Sequence, residues 1–300
     1  MSKTLIIIAG PTAIGKTSLA ISLAKHFKTE IISADSRQFY REMNIGTAKP
    51  SEVELKEVKH HLINSHSILD QFNAGDFEKE SIELINKLFL DHDQVIMAGG
   101  SGLFINAVSH GFDQLPIASE EIRNYFNTIL EEKGIKFLQD RLKKIDPVYY
   151  NEVDIFNPQR VIRALEVFEC SGKTFSSLRT NIKKQRPFNI VKIGLNTDRH
   201  ILYERINRRV DQMIKEGLIE EVDGLKSYRH LNPLNTVGYS EILNYLDGKS
   251  NREEAIEKIK QNTRRFAKRQ ITWFKKSEDI KWYKPDELEP IIQYLNSILY

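Results

Sequence analysis

The chain has 300 residues, of which 40% are hydrophobic and 28% charged, so it can bury a sizeable core as a globular protein. No apolar run approaches the roughly 20 residues of a membrane-spanning helix, and no cleavable signal sequence is predicted at the N-terminus. The single cysteine, Cys170, excludes a disulfide framework and a cysteine-based metal site, so we expect a cytoplasmic protein, and without a membrane span we expect no membrane partner. The net charge of +3 alone says little about partners.

The first predicted elements flank a glycine-rich turn. Residues 5–9 form an apolar run typical of a buried strand, and residues 18–27 have a helical pattern. The spacing of the glycines, lysine and threonine between them is that of a phosphate-binding loop. In such a loop the backbone N–H groups bind an anion, the lysine reaches the terminal phosphate, and the threonine hydroxyl suits Mg²⁺. The predicted phosphate site, with Thr17 as the metal ligand, comprises Gly10, Pro11, Thr12, Ala13, Ile14, Gly15, Lys16 and Thr17.

Two further strands are predicted to end beside this loop. Residues 30–34 predict a second strand, which is followed by Asp35, and residues 94–98 predict a third, which is followed by a glycine-rich turn at Gly99. Ligands bind at the carboxyl ends of strands in open α/β sheets, so we expect three loops to form one pocket. The third strand lacks the acidic residue that most NTPases use to hold Mg²⁺. From its position alone, Asp35 could be a metal ligand, a general base or a structural cap.

The pattern changes after about residue 116. Residues 117–187 are charged and helical in pattern with little strand character, and a strand returns at 190–195. In the helix predicted at 252–276, the stretch from Lys260 to Lys276 carries seven basic residues and no acidic one, which favours a polyanion such as nucleic acid. We therefore predict an α/β fold with a parallel sheet of the phosphate-loop NTPase type flanked by helices. Its core would comprise residues 1–116 and 188–300, and a helical insertion residues 117–187.

Six motifs resemble those of the tRNA dimethylallyltransferases, the isopentenyltransferases that modify adenosine 37 beside the anticodon. In this sequence they occupy residues 10–17, 35–40, 45–50, 99–104, 157–166 and 267–273. The resemblance covers nearly the whole chain, and the six motifs follow one another in the family's order. Ser101 and Phe104 stand where threonine and tyrosine are usual, and the serine keeps the hydroxyl.

The resemblance implies transfer of a dimethylallyl group from dimethylallyl diphosphate to N6 of adenosine 37, in tRNAs that read codons beginning with U. The phosphate loop would then bind the donor's diphosphate rather than a nucleotide. Lys16, Arg209 and Mg²⁺ at Thr17 would stabilise the leaving diphosphate. Asp35 would accept the N6 proton or orient the amine, and Ser101 would bond near it. The implied catalytic residues are therefore Asp35, Lys16, Ser101 and Arg209.

The resemblance also implies a tRNA partner. The target adenine is stacked inside the anticodon loop and must be extruded to reach a buried pocket. The helical insertion would clamp the anticodon stem-loop, and a monomer is expected because no pattern predicts a dimer interface. The segments that match tRNA-contacting regions of the family include 235–240 and 264–270. The implied tRNA-binding residues are Asp35, Ser36, Arg37, Gln38, Ser101, Arg123, Gln159, Arg160, Val161, Ile162, Arg163, Gly238, Arg264, Arg265, Lys268 and Arg269.

Three alternative functions are compatible with parts of this pattern. A small-molecule or nucleotide kinase shares the phosphate loop but does not need the basic C-terminal helix. A regulatory NTP-binding protein could bind RNA without transferring a prenyl group. An adenylate isopentenyltransferase uses the same donor with a free nucleotide, and would need neither the insertion nor the basic helix.

Overall fold

The computed structural model describes residues 3–113, 115–180 and 182–299. The outer bounds of the predicted core, residues 1 and 300, therefore lie outside the described residues. The chain divides into two compact units. The first comprises Met1–His110 and Gln185–Tyr300, and the second comprises Gly111–Lys184. The predicted insertion bounds, 117 and 187, lie a few residues C-terminal to those of the second unit. Within the described ranges, no helix is both long and apolar enough to cross a membrane.

A six-stranded sheet forms the centre of the first unit. Its strands lie in the order β3-β2-β4-β1-β5-β6, and each described pairing between neighbours is parallel. This confirms the predicted fold class. The strands are β1 (Thr4–Ala9), β2 (Ile31–Ser33), β3 (His60–His61), β4 (Gln94–Gly99), β5 (Asn189–Leu195) and β6 (Ile280–Tyr283).

Both faces of the sheet are covered. Leu5 and Ile7 of β1 pack into one hydrophobic core, while Ile6 and Ile8 pack into another on the opposite face, and all four are fully buried. Burial on both faces explains why the strand is a continuous apolar run rather than an alternating one. The helices of this unit are α1 (Lys16–Phe27), α2 (Glu52–Glu57), α3 (Ala74–Leu88), α4 (Gly102–His110), α9 (Arg199–Lys215), α10 (Leu218–Gly224), α11 (Tyr239–Leu246), α12 (Arg252–Phe274) and α13 (Leu288–Leu299).

The second unit is helical in its described residues. Its helices are α5 (Glu120–Ile145), α6 (Pro147–Glu152), α7 (Pro158–Ser171) and α8 (Phe175–Leu178). The long helix α5 begins where Ser119 accepts a hydrogen bond from the backbone N–H of Ile122. It is interrupted at Gly134, whose φ of 71° is a conformation that glycine adopts readily. Side chains of α5 and α7, among them Phe126 and Leu165, form a separate hydrophobic core.

Candidate active site at the carboxyl end of the sheet

The phosphate loop connects β1 to α1 as predicted. Gly15 occupies the N-cap of α1 with a φ of 109°, which suits glycine, and it has no side chain that could accept the free N–H groups of the first turn. The first turn of α1 contains no acidic residue. The helix start therefore presents unscreened N–H donors and the positive end of a helix dipole, which together favour a bound anion.

Two cations lie against the loop. Lys16 Nζ donates a hydrogen bond of 2.7 Å to the Pro11 carbonyl, and Arg209 Nη1 lies 3.4 Å from Thr12 Oγ1. Burial lowers the pKa of Lys16 to about 7, which the carboxylate of Asp35 partly opposes and the charge of Arg209 reinforces. The same carboxylate opposes the lowering of the Arg209 pKa by burial. Lys16, Arg209 and Asp35, three of the four residues that the resemblance implies are catalytic, therefore interact electrostatically at the loop.

Asp35 follows β2 and is half-buried. Its Oδ1 accepts a hydrogen bond of 3.0 Å from the backbone N–H of Arg37, so one carboxylate oxygen caps the turn. Its Oδ2 has no hydrogen-bond partner among the described residues and is available to a ligand. The capping hydrogen bond therefore occupies Oδ1 of the carboxylate and leaves Oδ2 for a proton or a metal.

Ser101 joins the end of β4 to the Asp35 turn. Its Oγ accepts a hydrogen bond of 2.9 Å from the backbone N–H of Ser36, and its own N–H donates to the Ala34 carbonyl at 3.2 Å. A Cβ on Gly99 would overlap the backbone of Ala34, so only glycine permits the two strand ends to approach this closely. The hydroxyl of Ser101 thus holds the residue next to Asp35 in place.

The segment after Asp35 is fastened to a loop at residues 41–50. Gln38 Oε1 accepts a hydrogen bond of 3.1 Å from Ser33 Oγ, and its Nε2 donates to the carbonyls of Thr47 and Ala48. The carboxylate of Glu221 accepts hydrogen bonds of 2.7–3.0 Å from the backbone N–H groups of residues 44–46. It also accepts a bond of 2.5 Å from the hydroxyl of the buried Tyr239.

Two residues near the site, Arg205 and Glu221, were missed in the sequence, and Gln270 was named only within the segment 264–270 that matches a tRNA-contacting region. Arg205 donates to the Ile14 carbonyl of the phosphate loop at 3.1 Å, although a series of arginines on α9 is typical of a solvated face. Glu221 and Gln270 contact loops that are distant in sequence. For Gln270 a signal existed, because Ala267 and Phe274, one turn before and after it on α12, are apolar and buried.

The residues implied in tRNA binding occupy both units. On α12, Arg265, Lys268 and Arg269 are exposed, while Arg264 donates to Asn207 Oδ1 at 2.6 Å. Gly238 precedes α11 with a φ of 97° and open space where a Cβ would lie.

On α7 of the second unit, Gln159 and Arg160 are exposed. The side chains of Val161 and Ile162 are buried in the core of that unit, so these two residues do not offer side chains to RNA. The remaining pair, Arg123 and Arg163, both bond to the buried carboxylate of Glu166.

The sequence matches the family described as IPP transferase over residues 38–277. The tRNA dimethylallyltransferase of Christiangramia forsetii is 52% identical over 298 residues, which are 99% of each chain. tRNA dimethylallyltransferase 1 of Bacteroides thetaiotaomicron is 49% identical over 292 residues, which are 97% of this chain and 95% of that one.

Solved structures show the same similarity. The full-length tRNA isopentenylpyrophosphate transferase of Bacillus halodurans is 38% identical with a TM-score of 0.74, and the match covers 99% of this chain and 97% of that chain. A eukaryotic dimethylallyltransferase acting on tRNA is 27% identical with a TM-score of 0.77, over 96% of this chain and 75% of that chain. Because the family match extends over most of the sequence and relatives of similar length match it almost end to end, the chain belongs to the IPP transferase family.

Proposed function

We propose that the chain is a tRNA dimethylallyltransferase, which transfers the dimethylallyl group of dimethylallyl diphosphate to N6 of adenosine 37 in tRNAs that read codons beginning with U. The observation that carries the proposal is the half-free carboxylate of Asp35 beside the phosphate loop, in one electrostatic cluster with Lys16 and Arg209. A phosphate loop alone would fit a kinase equally well. The proposal places the enzyme with its tRNA in the cytoplasm, and one copy of the chain supplies every residue named.

In the proposed reaction the N6 lone pair of adenine forms a bond to the allylic carbon. The bond from that carbon to the diphosphate oxygen breaks, and its electron pair leaves with the diphosphate. The N–H groups at the start of α1, together with Lys16 and Arg209, stabilise the charge that develops on the leaving group. Asp35 Oδ2 accepts the proton that N6 loses, while Oδ1 keeps its bond to Arg37 and holds the carboxylate in orientation.

The site offers Mg²⁺ a protein ligand but does not enclose it. The described residues contain no group of three histidine, cysteine, aspartate or glutamate side chains that could enclose a metal. Mg²⁺ is commonly held by one or two protein ligands together with substrate phosphates, and Thr17, half-buried in the first turn of α1, offers such a ligand. When bound with the donor, Mg²⁺ would add positive charge to the diphosphate.

RNA recognition is proposed to use the exposed basic residues of α12 and, separately, those of the second unit. Arg265, Lys268 and Arg269 of α12 are exposed within two helical turns, and a row of cations at this spacing suits the phosphates of one strand. Extrusion of the target adenine supplies the acceptor amine to Asp35. Gln159 and Arg160 of α7 are exposed and suit the anticodon stem-loop.

A transfer assay tests the proposal. The protein is incubated with dimethylallyl diphosphate, Mg²⁺ and unmodified tRNA that carries adenosines at positions 36 and 37, and nucleosides are analysed by mass spectrometry. We expect prenylated adenosine at position 37, with AMP and ATP as negative controls. Prenyl transfer to AMP but not to tRNA, or ATP hydrolysis without transfer, would overturn the proposal.

The role of Asp35 is tested with two variants. Asp35→Asn keeps an oxygen that can accept from the Arg37 N–H but cannot take a proton, so turnover should fall by about 10²–10⁴-fold, the usual contribution of a general base. Asp35→Ala should abolish turnover as well. Both should leave tRNA affinity largely intact. A loss of tRNA binding without a defect in the chemical step would instead make Asp35 an RNA-positioning residue.

The role of α12 is tested by salt titration. Arg265→Ala and Lys268→Ala together should reduce the dependence of log affinity on log salt by about one unit for each lost phosphate contact. A matched control is Lys79→Ala with Lys87→Ala, two exposed lysines on α3 of the same unit. An equal change in the control pair would show that only the overall charge matters.

A further inference from the structure

The side chain of Gln270 joins the basic helix α12 to the phosphate loop. Its Oε1 accepts a hydrogen bond of 2.9 Å from the backbone N–H of Thr12, and its Nε2 donates one of 2.9 Å to the Gly100 carbonyl. The first partner can only donate and the second can only accept, so the orientation of the amide is determined. Gln270 is 7% exposed, although Lys268 and Arg269, which precede it on the helix, are exposed cations.

The contact is close enough to restrict its neighbours. A Cβ on Gly100 would lie 2.3 Å from Gln270 Nε2, so a larger residue there would displace the amide from its present position. The next residue, Ser101, accepts a hydrogen bond from the N–H of Ser36, which directly follows Asp35. Three hydrogen bonds, together with the covalent link between Gly100 and Ser101, therefore connect Thr12 of the phosphate loop through Gln270 to the turn after Asp35.

The same helix carries the proposed RNA contacts. Lys268 and Arg269 immediately precede Gln270 and are exposed, whereas Ala267 and Phe274 bury the helix against the core. A helix is stiff over one turn, so a shift of the exposed residues also shifts Gln270. Neutral hydrogen bonds are optimal near 2.9 Å and weaken steeply as distance or angle changes. The position of α12 is therefore transmitted to the Thr12 N–H and to the Gly100 turn.

We propose that Gln270 is a positioning residue that couples RNA binding on α12 to diphosphate binding in the phosphate loop. The inference rests on the proposed function, because it assumes that α12 binds RNA. RNA bound to α12 fixes the position of Gln270. Gln270 in turn fixes the start of the phosphate loop through its bond to Thr12, and the turn after Asp35 through its bond to Gly100. Each ligand then binds more tightly when the other is present, and linkage requires the effect to be reciprocal.

The test measures this coupling by calorimetry. The dissociation constant of inorganic diphosphate with Mg²⁺ is measured without RNA and with a saturating anticodon stem-loop. In the unmodified protein we expect RNA to tighten diphosphate binding by at least about fivefold, the lower end of typical coupling between sites. Gln270→Leu removes both hydrogen bonds, so the ratio of the diphosphate dissociation constants measured without and with RNA should be close to one. This variant should also lower kcat by about tenfold or more, while the affinity for the anticodon stem-loop measured without diphosphate changes little.

Two further variants make the result specific. Gln270→Glu retains an acceptor for Thr12 but has no donor for Gly100, so an intermediate ratio is expected; this variant decides the question if Gln270→Leu does not fold. Gln261→Leu makes the same change on a partly exposed position of α12 and should behave like the unmodified protein.

Three results would overturn the inference. One is a diphosphate affinity in the unmodified protein that does not depend on RNA. The second is a set of Gln270 variants that keep the effect of RNA on diphosphate affinity and keep kcat, but lose thermal stability. The third is a Gln261→Leu variant that loses the coupling as much as Gln270→Leu does. The transfer assay separates this failure from that of the proposed function, because prenyl transfer by the unmodified protein supports the function whether or not the two sites are coupled.

Discussion

Glu166→Gln should weaken RNA binding even though it removes a negative charge from a basic region. The Glu166 side chain is 2% exposed on α7. Its Oε1 accepts a bond of 3.0 Å from Arg123 Nε, and its Oε2 accepts one of 3.4 Å from Arg163 Nη1. Arg163 is held further by a bond of 2.8 Å from Nη2 to the Pro116 carbonyl. The carboxylate therefore fixes two guanidinium groups that are both implied in tRNA binding.

The magnitudes decide the sign of the effect. Weakening the hold on two arginines means that each must be ordered further on binding, at about 0.5–1.5 kcal/mol for each side chain. Removing one negative charge about 10 Å from an RNA phosphate gains only about 0.4 kcal/mol in water. The net loss of about 1–2 kcal/mol corresponds to an increase in the dissociation constant of roughly 5- to 30-fold.

Stability should fall less than for a fully buried ion pair. Removing one partner of such a pair costs about 3–5 kcal/mol, because the other charge is left without water. Here the side chains of Arg123 and Arg163 are 55% and 33% exposed, so both guanidinium groups can be hydrated after the change. We expect the free energy of unfolding to decrease by about 1–2 kcal/mol.

The assay is fluorescence anisotropy with a labelled anticodon stem-loop, accompanied by a salt titration and a denaturation curve. The salt slope should stay the same, because both cations remain. Glu169→Gln is the matched control, since Glu169 lies on the same helix but pairs with Arg141 and is 42% exposed. A folded Glu166→Gln protein whose affinity is unchanged or higher would refute the reasoning.

Three other predictions concern the first unit. Because the pKa of Lys16 is lowered to about 7, its charge is lost as the pH rises above 7. Calorimetry would compare the affinity for inorganic diphosphate of the unsubstituted protein with that of a Lys16→Arg variant at each pH. The ratio of the first affinity to the second should fall by up to about tenfold per pH unit above pH 7. A constant ratio between pH 6 and 9 would contradict this. Glu221→Gln leaves one acceptor oxygen for four converging donors and should reduce the free energy of unfolding in urea by about 2–4 kcal/mol, whereas a loss below about 0.5 kcal/mol would show that the loop is held in another way. Gly99→Ala should destabilise by about 3 kcal/mol or more because its Cβ meets the Ala34 backbone, while Gly224→Ala, with nothing within 4 Å, should be neutral or slightly stabilising; equal melting temperatures would contradict this.

The elements that could be predicted are those whose signal is local. The phosphate loop needs glycines, a lysine and a hydroxyl within eight consecutive residues. The strands at 5–9, 94–98 and 190–195 are largely apolar because both faces of the sheet are buried. These predictions agree with β1, β4 and β5 as observed. β3 has only two residues, which is too short for any periodicity to identify.

The amino-acid sequence by itself determined the phosphate loop, the parallel sheet and the position of Asp35 at the end of its strand, because neighbours in sequence define each of them. Only the tertiary structure decided which side chains hold these parts together. Gln270 lies in a basic segment that resembles an RNA contact, yet it faces Thr12, 258 residues away in the chain. Glu221 likewise binds a loop about 175 residues earlier. No local pattern encodes such partners, because their hydrogen bonds exist only once the helices have packed against the sheet.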